Sequence, residues 1–318
     1  MSNASTYLYP VQWLRGLAAI AVMLFHFSEG YLPASSWAHQ LFAFGGLGVP
    51  VFFMLSGFIL PYSLDQNGYT HQQFGHYFKR RLYRLEPAYL LSIATALALA
   101  ALAAYFFPPS NFVWSWPRLF LHLGYLIPFV EEQTWLNPVY WTLAVEFQFY
   151  LFLGLTYPWI KNPLSPKAWP ILLLLFLGPW LYSSPVFFPF HAPLFLLGLL
   201  YYYWRKAAVP KTILLLLIGS LLFFLSFRRP DMPWILLGAF LVLEAPNRPS
   251  RLANILGQAS YPLYLFHNII GASVILHLLA PRFDGVWRLP LVLGTALFCL
   301  FFSYAIYYFI ERPILKKG

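Results

Sequence analysis

The sequence predicts an all-α membrane protein with about ten transmembrane helices and with both termini in the cytosol. Three observations support this fold class: the composition, the recurrence of apolar segments, and the distribution of Lys and Arg. Of the 318 residues, 60% are hydrophobic, 21% are aromatic and only 9% are charged, whereas soluble domains carry about a quarter charged residues. The chain is therefore predicted to form one transmembrane domain over residues 1–318, without a separate soluble domain.

Apolar runs bounded by charged or Pro- and Gly-rich joints divide the chain into ten predicted spans. They are 9–29, 41–63, 80–106, 138–160, 168–184, 189–205, 211–227, 233–246, 256–280 and 288–311. The region 112–130 is a further candidate for an amphipathic or re-entrant segment, because Trp114, Trp116 and Tyr125 suit a membrane interface.

The basic residues support an even number of spans with a cytosolic N-terminus. This layout places most of them on the cytosolic side, as the positive-inside rule requires. The predicted cytosolic set is Lys79, Arg80, Arg81, Arg84, Lys161, Lys167, Arg205, Lys206, Lys211, Arg248, Arg251, Arg312, Lys316 and Lys317, against Arg118, Arg228, Arg229, Arg282 and Arg288 outside. The net charge of +10 therefore follows from topology, and nucleic acid is not an expected partner. A multi-pass protein of the bacterial inner (plasma) membrane is expected.

The first apolar segment has two interpretations. Residues 16–27 could form the core of a cleaved signal peptide. No Lys or Arg precedes Arg15, however, and Arg15 itself interrupts the segment, so an uncleaved first span is favoured.

Arg15 and His26 form the most informative pair of the sequence. They are eleven positions apart on one apolar helix, so their side chains share a face and lie about 16 Å apart along its axis. Ionisable groups inside a membrane usually face a polar cavity or a partner. The pair therefore indicates a path for a charged, elongated ligand.

Glu146 is a second ionisable group at membrane depth, about eight residues into the fourth predicted span. A buried carboxylate needs a hydrogen-bond donor or an opposite charge. Arg15, His26 and Gln148 are the candidate partners, and a purely structural packing network is the alternative.

A polar stripe marks the ninth predicted span. Ser260, Tyr264 and His267 are spaced i, i+4 and i+7, which places them on one helical face and indicates a cavity lining. His267 could equally be satisfied by a backbone carbonyl. Ser56 and Gly57, in the second span, suit close approach of a helix or ligand, and a hydrogen-bonding role for Ser56 is favoured over a nucleophilic one.

Arg81 and Arg84 are three residues apart, so they project from one side of what is predicted to be a helix start. Guanidinium groups bind phosphate bidentately, and helix N-termini attract anions. A phosphorylated cytosolic ligand is therefore predicted here, while Lys79 and Arg80 are interpreted as topological signals.

Metal binding is not expected. The sequence has no His/Cys cluster at ligand spacing, and the motifs HExxH and CxxC are absent. The single Cys299 excludes an intramolecular disulfide.

Taken together, these segments resemble the acyltransferase-3 family of integral-membrane acyltransferases. Five blocks match in order over about residues 8–313, and a terminal Glu311-Arg312-Pro313 is similar to the end of the family. The blocks are Arg15 to His26, Gly48 to Gly57, Arg80 to Pro87, Trp141 to Tyr150 and Ser260 to His267. The opening Gln12-Trp13-Leu14-Arg15 is most similar to the exopolysaccharide branch.

The resemblance implies transfer of an acyl group, usually acetyl, from cytosolic acyl-CoA to a hydroxyl of a carbohydrate or glycolipid acceptor. It implies acyl-CoA as donor substrate and no permanently bound cofactor. No hydrolase-like domain follows the membrane core, so the acceptor is expected to meet the donor directly or through a partner such as a polysaccharide-assembly protein. Thr142 and Glu86 depart from the family pattern, in which serine and an apolar residue are more common.

The predicted mechanism places the CoA phosphates near Arg81 and Arg84, with the arm of the acyl-CoA running past Arg15 and its thioester near His26. His26 acts as general base on the acceptor hydroxyl, and Glu146 orients His26 or stabilises its imidazolium form. Arg15 or Tyr264 stabilises the oxyanion.

Ser56, Trp141, Tyr264 and His267 are predicted to line the substrate site. A covalent acyl intermediate on His26, Ser56 or a tyrosine is the alternative mechanism.

Two other classes of protein compete with the acyltransferase interpretation. A proton-coupled carrier or flippase for an acidic or sugar-linked substrate would also use buried Arg, His and Glu, although the sequence shows neither an inverted repeat nor paired broken helices. A non-catalytic subunit of a polysaccharide assembly is the third.

Overall fold

The computed structural model describes residues 7–106 and 114–315, and within these ranges the chain is helical without a β-strand. The helices are α1 (Tyr9–Tyr31), α2 (Trp37–Phe42), α3 (Gly48–Gln66), α4 (Phe74–Phe106), α5 (Trp116–Leu123), α6 (Tyr140–Ile160), α7 (Ala168–Leu181), α8 (Phe188–Lys206), α9 (Lys211–Ser226), α10 (Met232–Leu243), α11 (Arg251–Phe266), α12 (His277–Leu279), α13 (Arg288–Ile306) and α14 (Arg312–Leu315). Two π-helical segments, His267–Leu276 and Tyr307–Glu311, follow α11 and α13. The predicted all-α fold is confirmed.

Each of the ten predicted spans overlaps a described helix. Among the described residues, five helical segments are long and apolar enough to cross a membrane: Tyr9–Tyr31, Trp37–Gln66, His71–Phe106, Arg251–Arg282 and Gly285–Leu315. The apolar helices α7, α9 and α10 are shorter, at 10–17 residues. The chain is a membrane protein, whereas the count of ten spans and the cytosolic termini stay predictions.

The helix that carries the basic cluster starts earlier than predicted. α4 begins at Phe74 rather than near 80 and follows a helical turn over His71–Gln73. Thr70 caps this turn, with its backbone N–H donating to Oε1 of Gln73 at 2.9 Å. Because the capped turn continues directly into α4, the basic residues lie inside the helix.

The region 112–130 lies partly outside the described residues, and its remainder contains α5. This eight-residue helix exposes Trp116 and Phe120 and buries His122, which agrees with the amphipathic alternative. Imidazole Nδ1 of His122 donates to the Arg118 carbonyl at 2.8 Å, while Nε2 accepts the Leu136 N–H at 3.0 Å. Burial lowers the pKa of His122, so the imidazole stays neutral and fastens the following loop to α5.

Two compact units divide the chain. Unit 1 comprises residues 1–18, 47–79 and 145–254. Its helices α3 and α8 meet backbone to backbone: a Cβ on Gly57 would lie 2.1 Å from the Phe195 carbonyl oxygen, and a Cβ on Gly198 would lie 1.9 Å from that of Met54. The close helix approach predicted at Gly57 is thus made by another helix, and small residues permit it.

Unit 2 comprises residues 19–46, 80–144 and 255–318. Here α11 passes into the π-helical segment at His267, which packs through Gly271 against the Phe27 ring and Cys299. The Tyr31 hydroxyl donates to the Ala272 carbonyl at 2.8 Å, so a side chain from α1 satisfies one backbone oxygen of the widened helix.

We expect Gly57→Ala and Gly198→Ala each to lower the free energy of unfolding by about 1–3 kcal/mol, because each new methyl group must displace a backbone carbonyl. Thermal unfolding of the detergent-purified protein measures the effect. The matched control is Gly219→Ala on α9, where a Cβ meets nothing within 4 Å. Equal stability of Gly198→Ala and Gly219→Ala would contradict this packing.

Candidate active site

Two histidines predicted from separate motifs meet in unit 2. The His26 ring, on α1, stacks on that of His267 with centroids 5.3 Å apart and planes at 28°. His26 is half-buried, whereas His267 has no exposed surface. This pairing could not be predicted from the sequence, because the two positions share no local pattern.

Hydrogen bonding fixes the tautomer of His267. Its Nδ1 lies 2.9 Å from the Leu263 carbonyl, which can only accept, so Nδ1 carries the proton and the lone pair is on Nε2. Nε2 is buried without a hydrogen-bond partner among the described residues. The alternative interpretation, in which a backbone carbonyl satisfies His267, is therefore correct for Nδ1. It leaves Nε2 as an acceptor without a donor among the described residues.

One further predicted residue, Tyr264, lies beside this pair. The Tyr264 ring is 6.1 Å from that of His267, and the Tyr264 hydroxyl is 2.9 Å from Oγ1 of Thr142. Thr142 also donates to the Val139 carbonyl at 2.9 Å. Thr142 can therefore replace serine at this position, since the hydroxyl makes both bonds. Its neighbour Trp141 is half-buried on α6.

Unit 1 contains the half-buried carboxylate of Glu146. The Ser56 hydroxyl donates to Oε1 of Glu146, and the Tyr150 hydroxyl donates to Oε2 at 3.3 Å. Tyr150 follows Glu146 by four residues on α6, so the helical period alone could have identified it as a partner. Ser56 lies 90 positions away in the sequence and could not have been identified in this way. The arrangement favours the hydrogen-bonding role of Ser56.

The expectation that Gln148 pairs with Glu146 is wrong. Oε1 of Gln148 accepts the Phe188 N–H at 2.9 Å, so this side chain caps the start of α8. Its Nε2 is buried without a partner in residues 7–106 and 114–315. A pairing of Glu146 with His26 or Arg15 stays a prediction.

Arg15 and His26 lie on one continuous helix, as predicted, because α1 runs from Tyr9 to Tyr31. Arg15 is half-buried. Its role toward a ligand stays a prediction.

Arg81 and Arg84 are both half-buried on α4, whereas Lys79 and Arg80 are exposed. They lie seven and ten residues after Phe74, so the predicted helix start is wrong and the helix N-terminus contributes nothing to an anion site here. A phosphate site would depend on the two guanidinium groups. Two residues after Arg84, the Glu86 carboxylate accepts a hydrogen bond from the Tyr125 hydroxyl at 3.0 Å. This bond gives Glu86 a structural role.

No group of three His, Cys, Asp or Glu side chains in the described part of the chain is placed to hold a metal ion. Burial of the single Cys299 removes it from reaction with solvent.

Apolar helices that gather imidazole, carboxylate and hydroxyl groups in their interiors are typical of an integral-membrane enzyme. Residues 8–308 match the sequence profile of the family described as an acyltransferase domain. The chain belongs to this family, the acyltransferase-3 family.

Several curated proteins are similar to the chain. O-acetyltransferase OatA of Staphylococcus aureus is 27% identical over 372 aligned positions, which cover 98% of this chain and 58% of that protein. Peptidoglycan O-acetyltransferase OatA of Listeria monocytogenes is 30% identical over 177 positions, covering 49% and 26%. An Acidianus two-tailed virus protein, provisionally described as an acetyltransferase, is 36% identical over 143 positions, covering 45% and 38%. The chain thus spans less than two thirds of each relative. No solved structure matches.

We expect Ser56→Ala to lower the free energy of unfolding by about 1.5–3 kcal/mol, because it removes a donor from the half-buried Glu146 carboxylate. In a Glu146→Gln background the same change should cost about 1 kcal/mol or less, since the lost bond is then between neutral groups. A double-mutant cycle by thermal unfolding measures this coupling, with Ser63→Ala on the same helix as control. Strict additivity would show that the Ser56–Glu146 bond contributes nothing.

Proposed function

We propose that the protein transfers an acetyl group from cytosolic acetyl-CoA to a hydroxyl of a carbohydrate or glycolipid acceptor at the bacterial inner membrane. The acyltransferase-family match over residues 8–308, with His26 and Arg15 on one helix inside it, is the observation that carries the proposal. The names of the relatives from S. aureus and L. monocytogenes, both O-acetyltransferases, support acetyl and oxygen as the transferred and receiving groups.

His26 is the proposed general base. Its half-exposed imidazole removes the hydroxyl proton as the acceptor oxygen attacks the thioester carbonyl. The carbon–sulfur bond then breaks, the CoA thiolate leaves, and the proton on His26 returns to the thiolate. A neutral imidazole suits this task near physiological pH.

Arg81, Arg84 and Arg15 are the proposed donor-binding residues. The guanidinium groups of Arg81 and Arg84 on α4 bind the CoA phosphates. Both side chains are half-buried, whereas the neighbouring Lys79 and Arg80 are exposed. Arg15 binds the arm of the acetyl-CoA, since it lies about 16 Å along α1 from His26 and cannot reach an oxyanion formed there. Trp141, Tyr264 and Ser56 are the proposed substrate-lining residues.

We expect acetyl-CoA and free CoA to raise the thermal stability of the purified protein, and ATP not to. A ligand at about 100 times its dissociation constant stabilises by roughly 2.7 kcal/mol, a shift of several degrees. The Arg84→Ala variant should lose the shift. Arg80→Ala is the matched control, because it removes an exposed arginine of the same helix and should keep it. If no CoA species shifts the wild-type melting temperature, the donor assignment fails.

We expect His26→Ala to slow acetyl transfer by about 10²–10⁴-fold while CoA-induced stabilisation persists, because the base acts in the chemical step. The measurement is release of CoA thiol from acetyl-CoA in the presence of chitopentaose, a soluble carbohydrate with free hydroxyl groups. Undiminished transfer by His26→Ala would exclude His26 as the base. Loss of both CoA binding and transfer would assign His26 to the donor site instead.

A further inference from the structure

His267 carries an unused hydrogen-bond acceptor in the interior of unit 2. Its side chain has no exposed surface, its proton is committed to the Leu263 carbonyl, and its Nε2 has no partner among the described residues. A buried acceptor left unpaired is destabilising, and a phenylalanine ring at this position would avoid that penalty. Packing alone therefore does not explain an imidazole here.

The contacts of His26 inside unit 2 point to what this imidazole does. Its ring contacts are with the adjacent Phe25, 5.2 Å away and tilted by 59°, and with His267, 5.3 Å away in a stack, while the exposed Glu29 carboxylate three residues along α1 acts on it electrostatically. A general base needs a group that holds its ring and accommodates the charge it acquires. Phe25 provides only an apolar ring for packing. His267 provides a polar ring whose tautomer is fixed by the Leu263 carbonyl.

We propose that His267 is a positioning residue for His26: a neutral imidazole of fixed tautomer that supports the base through ring stacking, in place of binding the acceptor directly. The proposal rests on the proposed function. The complete burial of His267 argues against direct contact with a carbohydrate, since the His26 ring and its other neighbours cover it.

The stack favours one proton charge and opposes two. When His26 takes the hydroxyl proton, the imidazolium lies against the π face of a neutral ring, which attracts a cation. A second charge at 5.3 Å in an apolar interior would be strongly repelled. The Leu263 carbonyl keeps the lone pair of His267 on Nε2, so the two rings cannot exchange roles without breaking that bond.

The test combines substitutions at both histidines, with initial rates of CoA release measured on chitopentaose over a range of acetyl-CoA concentrations. We expect His267→Phe, which keeps a ring but removes both nitrogens, to lower kcat at least about tenfold while KM for acetyl-CoA changes less than twofold. Because His267 acts through His26, the double variant His26→Ala/His267→Phe should be no slower than His26→Ala.

Multiplication of the two effects in the double variant would overturn the proposal, because it would show that His267 acts independently of His26. His267→Asn provides a second variant, which keeps a donor for the Leu263 carbonyl but removes the ring. Wild-type kcat in His267→Asn would also overturn the proposal. His39→Phe is the matched control, since His39 likewise bonds a backbone carbonyl of unit 2, at 3.1 Å, and should leave kcat unchanged.

The outcomes also separate this inference from the proposed function. If the wild-type protein binds acetyl-CoA but neither carbohydrate nor water releases CoA, the proposed function fails before His267 is tested. If the wild-type enzyme turns over and the histidine effects multiply, only the positioning role fails.

Discussion

Inside hydrocarbon a polar group must find its hydrogen-bond partner within the protein, because no water is available to supply one. This constraint explains the arrangement of the polar side chains in both units. The Glu146 carboxylate receives the hydroxyls of Ser56 and Tyr150 in unit 1. In unit 2, Asn137 donates to the Leu265 carbonyl at 2.8 Å. The bonds of Ser56 to Glu146 and of Asn137 to Leu265 join segments distant in sequence, so polar satisfaction and tertiary structure are established together.

Helices α3 and α8 approach closely at glycines, which have no side chain to keep the two backbones apart. Lipid tails are as apolar as leucine, so burial alone gives little reason for two helices to associate in a bilayer. Gly57 and Gly198 instead let the backbones of α3 and α8 touch, which gains dispersion contacts along the whole crossing. The carboxylate partner Ser56 lies next to Gly57, so the rigid crossing also holds the hydroxyl in position.

The sequence predicted the local features of the molecule well. Apolar runs located the helices, and helical spacing correctly placed Arg15 and His26 on one helix. The start of the helix that carries the basic cluster was predicted too late. A run of cations is typical of a loop, yet Lys and Arg are also good helix formers. The capped turn at Thr70 therefore extended α4 back to Phe74.

The pairings within the candidate site lay beyond sequence reasoning. His26 and His267 stack although they belong to different motifs, and no local period relates them. Gln148 shows the opposite error, since its closeness to Glu146 along α6 suggested a bond. The two side chains are two residues apart and point in different directions, so Gln148 caps α8 instead.

The choice of supporting group for a base has a particular consequence in a membrane. A carboxylate stabilises an imidazolium strongly, but its own charge must be removed from water, at several kcal/mol even after relaxation. A neutral imidazole avoids that charge, and its single unpaired nitrogen carries a smaller penalty. His267 can therefore support His26 deep in an apolar helix bundle without a further buried ion. A neutral ring attracts an imidazolium less strongly than a carboxylate does. The low dielectric constant of the interior compensates for this, because a cation and a π face interact more strongly there than they do in water. The stacked pair in unit 2 thus suits the role of base that we propose for His26 in the interior of a membrane protein.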